Sequence, residues 1–152
     1  MVNLNLPSYD YKVQKVEGKA VIYDIVRKKY VALTPEEWVR QHLIHFLINH
    51  LSFPKALIRV EGGLMFNKLA KRTDAVVFDR QGEPLLILEC KSFKVPIDQK
   101  VFEQSSIYNG TLKASYLLVS NGLEHYCCQI DHQRKSFSFL DTLPDFEDIC
   151  TT

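Results

Sequence analysis

The chain has no stretch of about 18 apolar residues and no apolar run behind a basic start, so neither a membrane-spanning helix nor a secretory leader is expected. It also lacks any Cys-x-x-Cys pair. Its four cysteines are Cys90, Cys127, Cys128 and Cys150, two of them adjacent, a pattern that suits reduced, buried thiols rather than a disulfide framework. A formal charge of only +1 gives no global electrostatic case for nucleic acid, so any basic surface must be local. No Gly-x-x-x-x-Gly-Lys-Ser/Thr phosphate loop is present, which leaves out a nucleotide-driven motor of that type. Repeats, low-complexity tracts and linkers are absent as well. The expectation is a soluble, cytoplasmic protein with no membrane partner.

What is there suits one α/β domain: 152 residues, 46% of them hydrophobic, enough for a sizeable core. Residues 1–33 read as a peripheral arm and a small hairpin, with 19–25 running against 29–33 and turning at Arg27-Lys28. Thr34-Pro35-Glu36-Glu37 is a helix start, with Thr at the N-cap, Pro at the first position and Glu three residues on. Apolar residues at 39, 43, 46, 47 and 51 carry that helix to about Leu51. Residues 58–66 read as a strand, two hairpin strands follow, and a second helix spans 98–112, ending near Asn109-Gly110. Strands over 114–120, 124–131 and 136–140 precede an acidic tail, so residues 34–122 form the core and 123–152 its C-terminal strands and tail.

The hairpin carries the chemistry. Arg72-Thr-Asp74-Ala-Val-Val-Phe-Asp79 and Leu85-Leu-Ile-Leu-Glu89-Cys-Lys91 flank Arg80-Gln81-Gly82-Glu83-Pro84, a turn signal of Gly and Pro between β-formers. A turn centred on Gln81 and Gly82 sets Asp74 opposite Glu89, with Cβ atoms roughly 4.5–5.5 Å apart. Two bare carboxylates about 5 Å apart repel by ~3 kcal/mol at an effective dielectric near 20, and a bound cation reverses that sign. Lys91 points to the same face as Glu89, because side chains alternate along a strand.

Other residues gather toward the same end of the sheet. On a helical wheel the apolar stripe of the first helix centres near Glu36, so that carboxylate is expected to point inward, with Arg40 one turn on and Glu37 at the stripe's edge closing the capping box. Gln104 and Tyr108 are neighbours on the sheet-facing side of the second helix, and Lys68, Lys71, Arg72, Lys94 and Lys100 flank the site and could hold a phosphate backbone. Blander readings stand beside these. Glu89 and Lys91 could be a solvated pair at a strand end, Glu36 a first-turn acid favoured by the helix dipole, and Gln104 and Tyr108 ordinary packing. His42 and His45 are expected to face solvent. His125, Cys127 and Cys128 lack a zinc spacing, and alternation sends the two thiols to opposite faces. Trp38 lies outside the main stripe, where an arm or a partner could meet it. Glu61 sits mid-strand, and Asn121-Gly122 makes a turn.

Asp74 with Glu89-x-Lys91 resembles the PD-(D/E)xK signature of the restriction-endonuclease-like nucleases. The wider run Leu33-Thr-Pro-Glu-Glu-x-Val-Arg-Gln41, Lys71-Arg-x-Asp74, Glu89-Cys-Lys91, Gln104-x-x-x-Tyr108 and Ser120-Asn-Gly122 is similar to the N-terminal nuclease domain of the R subunit of type I restriction enzymes. The similarity covers about residues 30–125. Thr73 stands where the signature has proline, which is not a ligand, and the R subunit's translocating motor has no counterpart here. The resemblance implies a restriction-endonuclease-like fold, a mixed central sheet flanked by helices, with the N-terminal hairpin as an addition. It implies hydrolysis of DNA phosphodiesters by in-line attack of water with Mg²⁺ or Mn²⁺. The ligands it implies are Asp74, Glu89 and the backbone carbonyl of Cys90. Lys91 would orient or deprotonate the water, and Glu36 would hold the metal's water shell or a second metal. In the related RecB-like group a Gln-x-x-x-Tyr helix supports the site and touches substrate, which falls on Gln104 and Tyr108, while Arg72 and Arg40 fall beside the site. The implied partners are DNA, a motor or specificity subunit in trans, and a second copy of the chain. The alternative is a non-catalytic module on the same fold that binds nucleic acid or protein.

Overall fold

Thr34 starts the first long element as its residue type demands. Its hydroxyl accepts the Glu37 N–H at 3.0 Å, Pro35 fills the first helical position, and α1 runs from Pro35 to His50. The computed structural model describes residues 1–60, 75–103 and 113–150. A 3₁₀ turn (Lys55–Leu57) follows α1 and leads into β4 (Ile58–Val60). Antiparallel to β4 runs β5 (Ala75–Phe78), and then come β6 (Pro84–Cys90), β7 (Tyr116–Ser120), β8 (His125–Asp131) and β9 (Ser136–Phe139). These make one six-stranded sheet in chain order, antiparallel except for β6 beside β7, which is parallel. A parallel pair needs a crossover, and residues 91–115 supply it, with helix α2 described over 99–103. The result is the mixed sheet of an α/β fold expected from the sequence.

Alternation sorts the strand residues onto two cores. Leu86, Leu88, Cys90, Leu118 and Cys127 join Val39, Leu43 and Leu47 of α1 in the larger core, while Ile87, Leu117, Val119 and Cys128 meet Phe102 of α2 on the opposite side. β6 is therefore apolar along both faces, as a central strand covered on both sides must be. Cys127 and Cys128 do part to opposite faces, and all four thiols are buried and unbridged. The acidic tail is more than a tail. Phe146 and Ile149 are buried on a short helix, α3 (Phe146–Ile149), and the Phe146 N–H donates to the Leu51 carbonyl.

The N-terminal region holds one strand more than the expected hairpin. β1 (Val13–Val16), β2 (Lys19–Asp24) and β3 (Lys29–Ala32) form a separate antiparallel three-stranded sheet. β1 is exposed along its whole length, so it carries no burial pattern from which it could be read. Before it, the arm lies on α1. Trp38 Nε1 donates to the Val2 carbonyl, and Tyr9 stacks on His45 at 3.8 Å and meets His42 edge-on at 4.9 Å. Trp38 is thus covered by the chain's own arm, whereas His42 is buried rather than solvated, its Nδ1–H given to the Trp38 carbonyl.

A candidate active site at the end of strand β6

The β5–β6 register decides which side chains share a face. Ala75 pairs with Leu88, Val76 with Ile87 and Val77 with Leu86, the register that the expected facing of 74 and 89 requires. The turn does not set that register alone. The Asp79 N–H donates to the Glu83 carbonyl at 2.8 Å and its Oδ1 accepts the Gln81 and Glu83 N–H groups, closing a three-residue loop in which Gly82 has φ +84°. Such an odd loop would throw the partners out of phase, but the ladder shifts between Val77 and Phe78, leaving Leu85 as the extra residue that restores it.

At the far end of β6, Glu89 stands on the smaller core's face, paired across the parallel ladder with Val119. It is 8% exposed. A carboxylate so far from water needs a compensating charge, and the Lys91 ammonium supplies one at 3.1 Å. Between them Cys90 turns its thiol into the larger core, so only its backbone is presented on the Glu89 side. The Lys91 N–H donates to the Ser120 carbonyl at 2.8 Å, fixing the lysine's backbone just where the strand ends.

The neighbouring end of β7 is tied down by a network the sequence reading reduced to a turn. Asn121 Oδ1 accepts the Leu123 and Glu124 N–H groups, and its Nδ2 donates to the Val95 carbonyl at 2.7 Å, pinning the loop that follows Lys91. Ser120 Oγ accepts the Gly122 N–H and bonds His125 Nδ1 at 2.7 Å, while His125 Nε2 reaches the Asn5 carbonyl at 2.9 Å. Asn5 in turn holds Gly122 and Leu123. The Ser-Asn-Gly signal was visible in sequence, but its partner in the amino-terminal arm, some 118 residues away, was not.

The inward acid of α1 is Glu37, not Glu36. Glu36 keeps a side chain 48% exposed, with Arg40 as an ion-pair partner at 3.7 Å, whereas Glu37 is buried and meets Arg27 at 3.1 Å and Gln41 at 2.8 Å. The wheel counted only residues from 39 onward and so missed the second sheet, whose Arg27 draws Glu37 inward. The same guanidinium answers Asp24: burial pushes that carboxyl up, but the Arg27 and Val26 hydrogen bonds outweigh it and hold it below the ordinary carboxylate value. Lys94 and Lys100 are exposed. Asp74, Arg72, Lys68, Lys71, Glu61, Gln104 and Tyr108 lie outside the described residues. Among the described residues no three His, Cys, Asp or Glu side chains gather as a metal-binding group.

A family model for the type I restriction enzyme R protein N terminus (HSDR_N) matches residues 35–144. The chain belongs to this family. The match takes in α1, the six-stranded sheet and the crossover, and leaves the β1–β3 sheet outside it. No curated protein matches. Among solved structures, the chain is similar to a fragment of a protein described as an HsdR subunit of a type I restriction enzyme from Vibrio vulnificus YJ016. That similarity has 20% identity and a TM-score of 0.40, and covers 60% of this chain and 17% of that one. This R-protein N-terminal domain has no helix, among its described residues, long and apolar enough to cross a membrane.

Proposed function

We propose that this chain is a Mg²⁺- or Mn²⁺-dependent DNA endonuclease whose site lies at the carboxyl end of β6. The observation that carries the reading is the Glu89–Lys91 pair, a nearly buried carboxylate with an ammonium at 3.1 Å at the end of a central strand, in a chain of the R-protein N-terminal family. The donor set fits a hard cation. Glu89 offers carboxylate oxygen, Cys90 its peptide carbonyl with the thiol directed away into the core, and Asp74 would complete the set. When bound, such an ion supplies charge stabilisation to the transferring phosphoryl group.

The chain's own residues do the rest. Lys91, its backbone held by Ser120, orients the attacking water, helps to remove its proton and offsets phosphate charge. Glu36, half exposed on the first turn of α1, serves the outer water shell of the ion, and Arg40 beside it positions that carboxylate. Gln104, Tyr108 and Arg72 support the site and contact DNA. We read its partners as a motor or specificity subunit in trans, or a second copy of the chain, a reading supported by the R-protein family match for the subunit alone.

A second reading is a non-catalytic module that binds nucleic acid or protein on this fold. It is favoured by the same ion pair, because a carboxylate already neutralised by its own lysine is stable with no metal present. Plasmid nicking separates the two. The nuclease nicks with Mg²⁺ or Mn²⁺, and Asp74→Ala or Lys91→Ala lowers the rate by about 100-fold or more with the circular dichroism spectrum retained. Equal nicking by both variants and the native protein would overturn the reading and mark the activity as a contaminant.

A further inference from the structure

The β1–β3 sheet lies outside the family-matched residues, and its outward face has no role in the site at the end of β6. Register fixes what stands there. Lys19 and Tyr23 of β2 share that face with their partners Val16 of β1 and Tyr30 of β3, while the alternate residues Ile22 and Asp24 are buried beneath. Lys12 extends the row: its carbonyl accepts the Tyr23 N–H, and its ammonium sits 5.7 Å from the Tyr23 ring centroid. The Tyr23 and Tyr30 rings meet edge to face at 5.3 Å, and Tyr30 is 39% exposed. No acidic residue occupies a position on this face. Asp24 points the other way, to Arg27, and Glu17 sits in the β1–β2 turn.

The charge of the chain is uneven in the same sense. Residues 12–32 hold six of its 19 Lys and Arg but two of its 18 Asp and Glu, leaving 13 against 16 in the remainder. A positive segment in an otherwise mildly acidic chain attracts a polyanion to one place. One exposed tyrosine ring, Tyr30, with the half-buried Tyr23 ring against it, framed by ammonium groups with no carboxylate, suits a polyanion that also offers flat apolar surfaces. Single-stranded nucleic acid is that ligand, since its bases can leave the stack to lie on tyrosine while its phosphates meet lysine. A duplex keeps its base faces covered.

We propose that the outward face of the β1–β3 sheet binds single-stranded nucleic acid, with bases stacked on Tyr30 and Tyr23 and phosphates held by Lys12 and Lys19. The test is fluorescence anisotropy of the full chain with a labelled single-stranded DNA 20-mer in EDTA, a condition that removes hydrolysis and so reads this face apart from the nuclease. Tyr30→Ala is expected to weaken binding by about fivefold or more, the effect of losing one stacked base. The double variant Lys12→Glu, Lys19→Glu is expected to weaken it further and to reduce the salt dependence by about 0.7 logarithmic units of affinity per unit of log salt for each lysine. Lys55→Glu, an exposed cation elsewhere on the molecule, is expected to bind as the native chain does. Native-like binding by both the tyrosine and the lysine variants overturns the proposal, and so does a duplex that competes as well as the single strand. If nicking fails and the single strand still binds through Tyr30, the nuclease reading falls and this one stands.

Discussion

At the scale of single residues, the contrast between adjacent glutamates is the sharpest lesson. Glu36 and Glu37 are equivalent in composition and one position apart, yet only Glu37 is enclosed, with Arg27 and Gln41 around it. Removing Glu37 leaves Arg27 its Asp24 partner but strips the enclosed Gln41 amide and one side of the guanidinium of their acceptor, so Glu37→Ala is expected to cost about 2 kcal/mol in urea denaturation. Glu36→Ala, with a half-exposed side chain, is expected to stay within about 0.5 kcal/mol. Equal costs for the two would show that Glu37 lacks this role. The sequence could not separate them, because what selects Glu37 is an arginine in the turn between β2 and β3. The thiols were easier to read. Burial pushes Cys127 up to about 12 and Cys128 up to about 11, and Cys90 and Cys150 are enclosed as well. Thiolate is the reactive form, so the native chain is expected to release almost no colour from a disulfide reagent at pH 8, and all four cysteines are expected to react in guanidinium.

Among elements, those with a strong local signal were legible and those held by distant partners were not. Thr34-Pro35 announced α1, and the Gln81-Gly82 region announced a hairpin whose strands have the anticipated register. The route to that register was hidden, since a three-residue loop and a bulge at Leu85 cancel each other and neither has a distinct composition. β1 and α3 were missed for opposite reasons. The first buries nothing, and the second buries Phe146 and Ile149 from a stretch whose acids suggested solvent. Two glycines with φ > 0 should respond differently to alanine. At Gly82 an added Cβ meets nothing within 4 Å, so only the backbone conformation resists, at about 1 kcal/mol. At Gly122 the added atom would lie 2.8 Å from a Leu4 methyl and 3.2 Å from Val39, and the cost is expected to exceed that of Gly82→Ala. A Gly122→Ala variant no less stable than Gly82→Ala would show that the arm yields freely.

For the whole molecule, the polar groups sealed between the N-terminal sheet, the arm and α1 predict sensitivity to acid in two stages. His42 and His45 are both lowered by burial, so the unfolded chain takes up protons first. Their stabilisation is full above the ordinary value of 6.5 and declines as pH falls below it. Asp24, held below its ordinary 3.8 despite burial, adds stability above that value which is lost as pH falls through its lowered one. The urea midpoint is expected to drop between pH 7 and 5, less steeply in His42→Phe, and again below about pH 4, where Asp24→Asn converges on the native chain. Parallel curves for all three proteins would remove these groups as the cause. Of the candidate site, the Glu89–Lys91 ion pair was legible because the two lie two residues apart at one strand end. The holding of that strand end through Ser120, Asn121, His125 and Asn5 was not, because it closes over some 118 residues of sequence. That closure bears on biosynthesis. Asn5 leaves the ribosome 118 residues ahead of Leu123, its acceptor, an interval of roughly 6–24 s at 5–20 residues per second. Throughout that interval the segment around Asn5 lacks its docking partner and is open to proteases or chaperones.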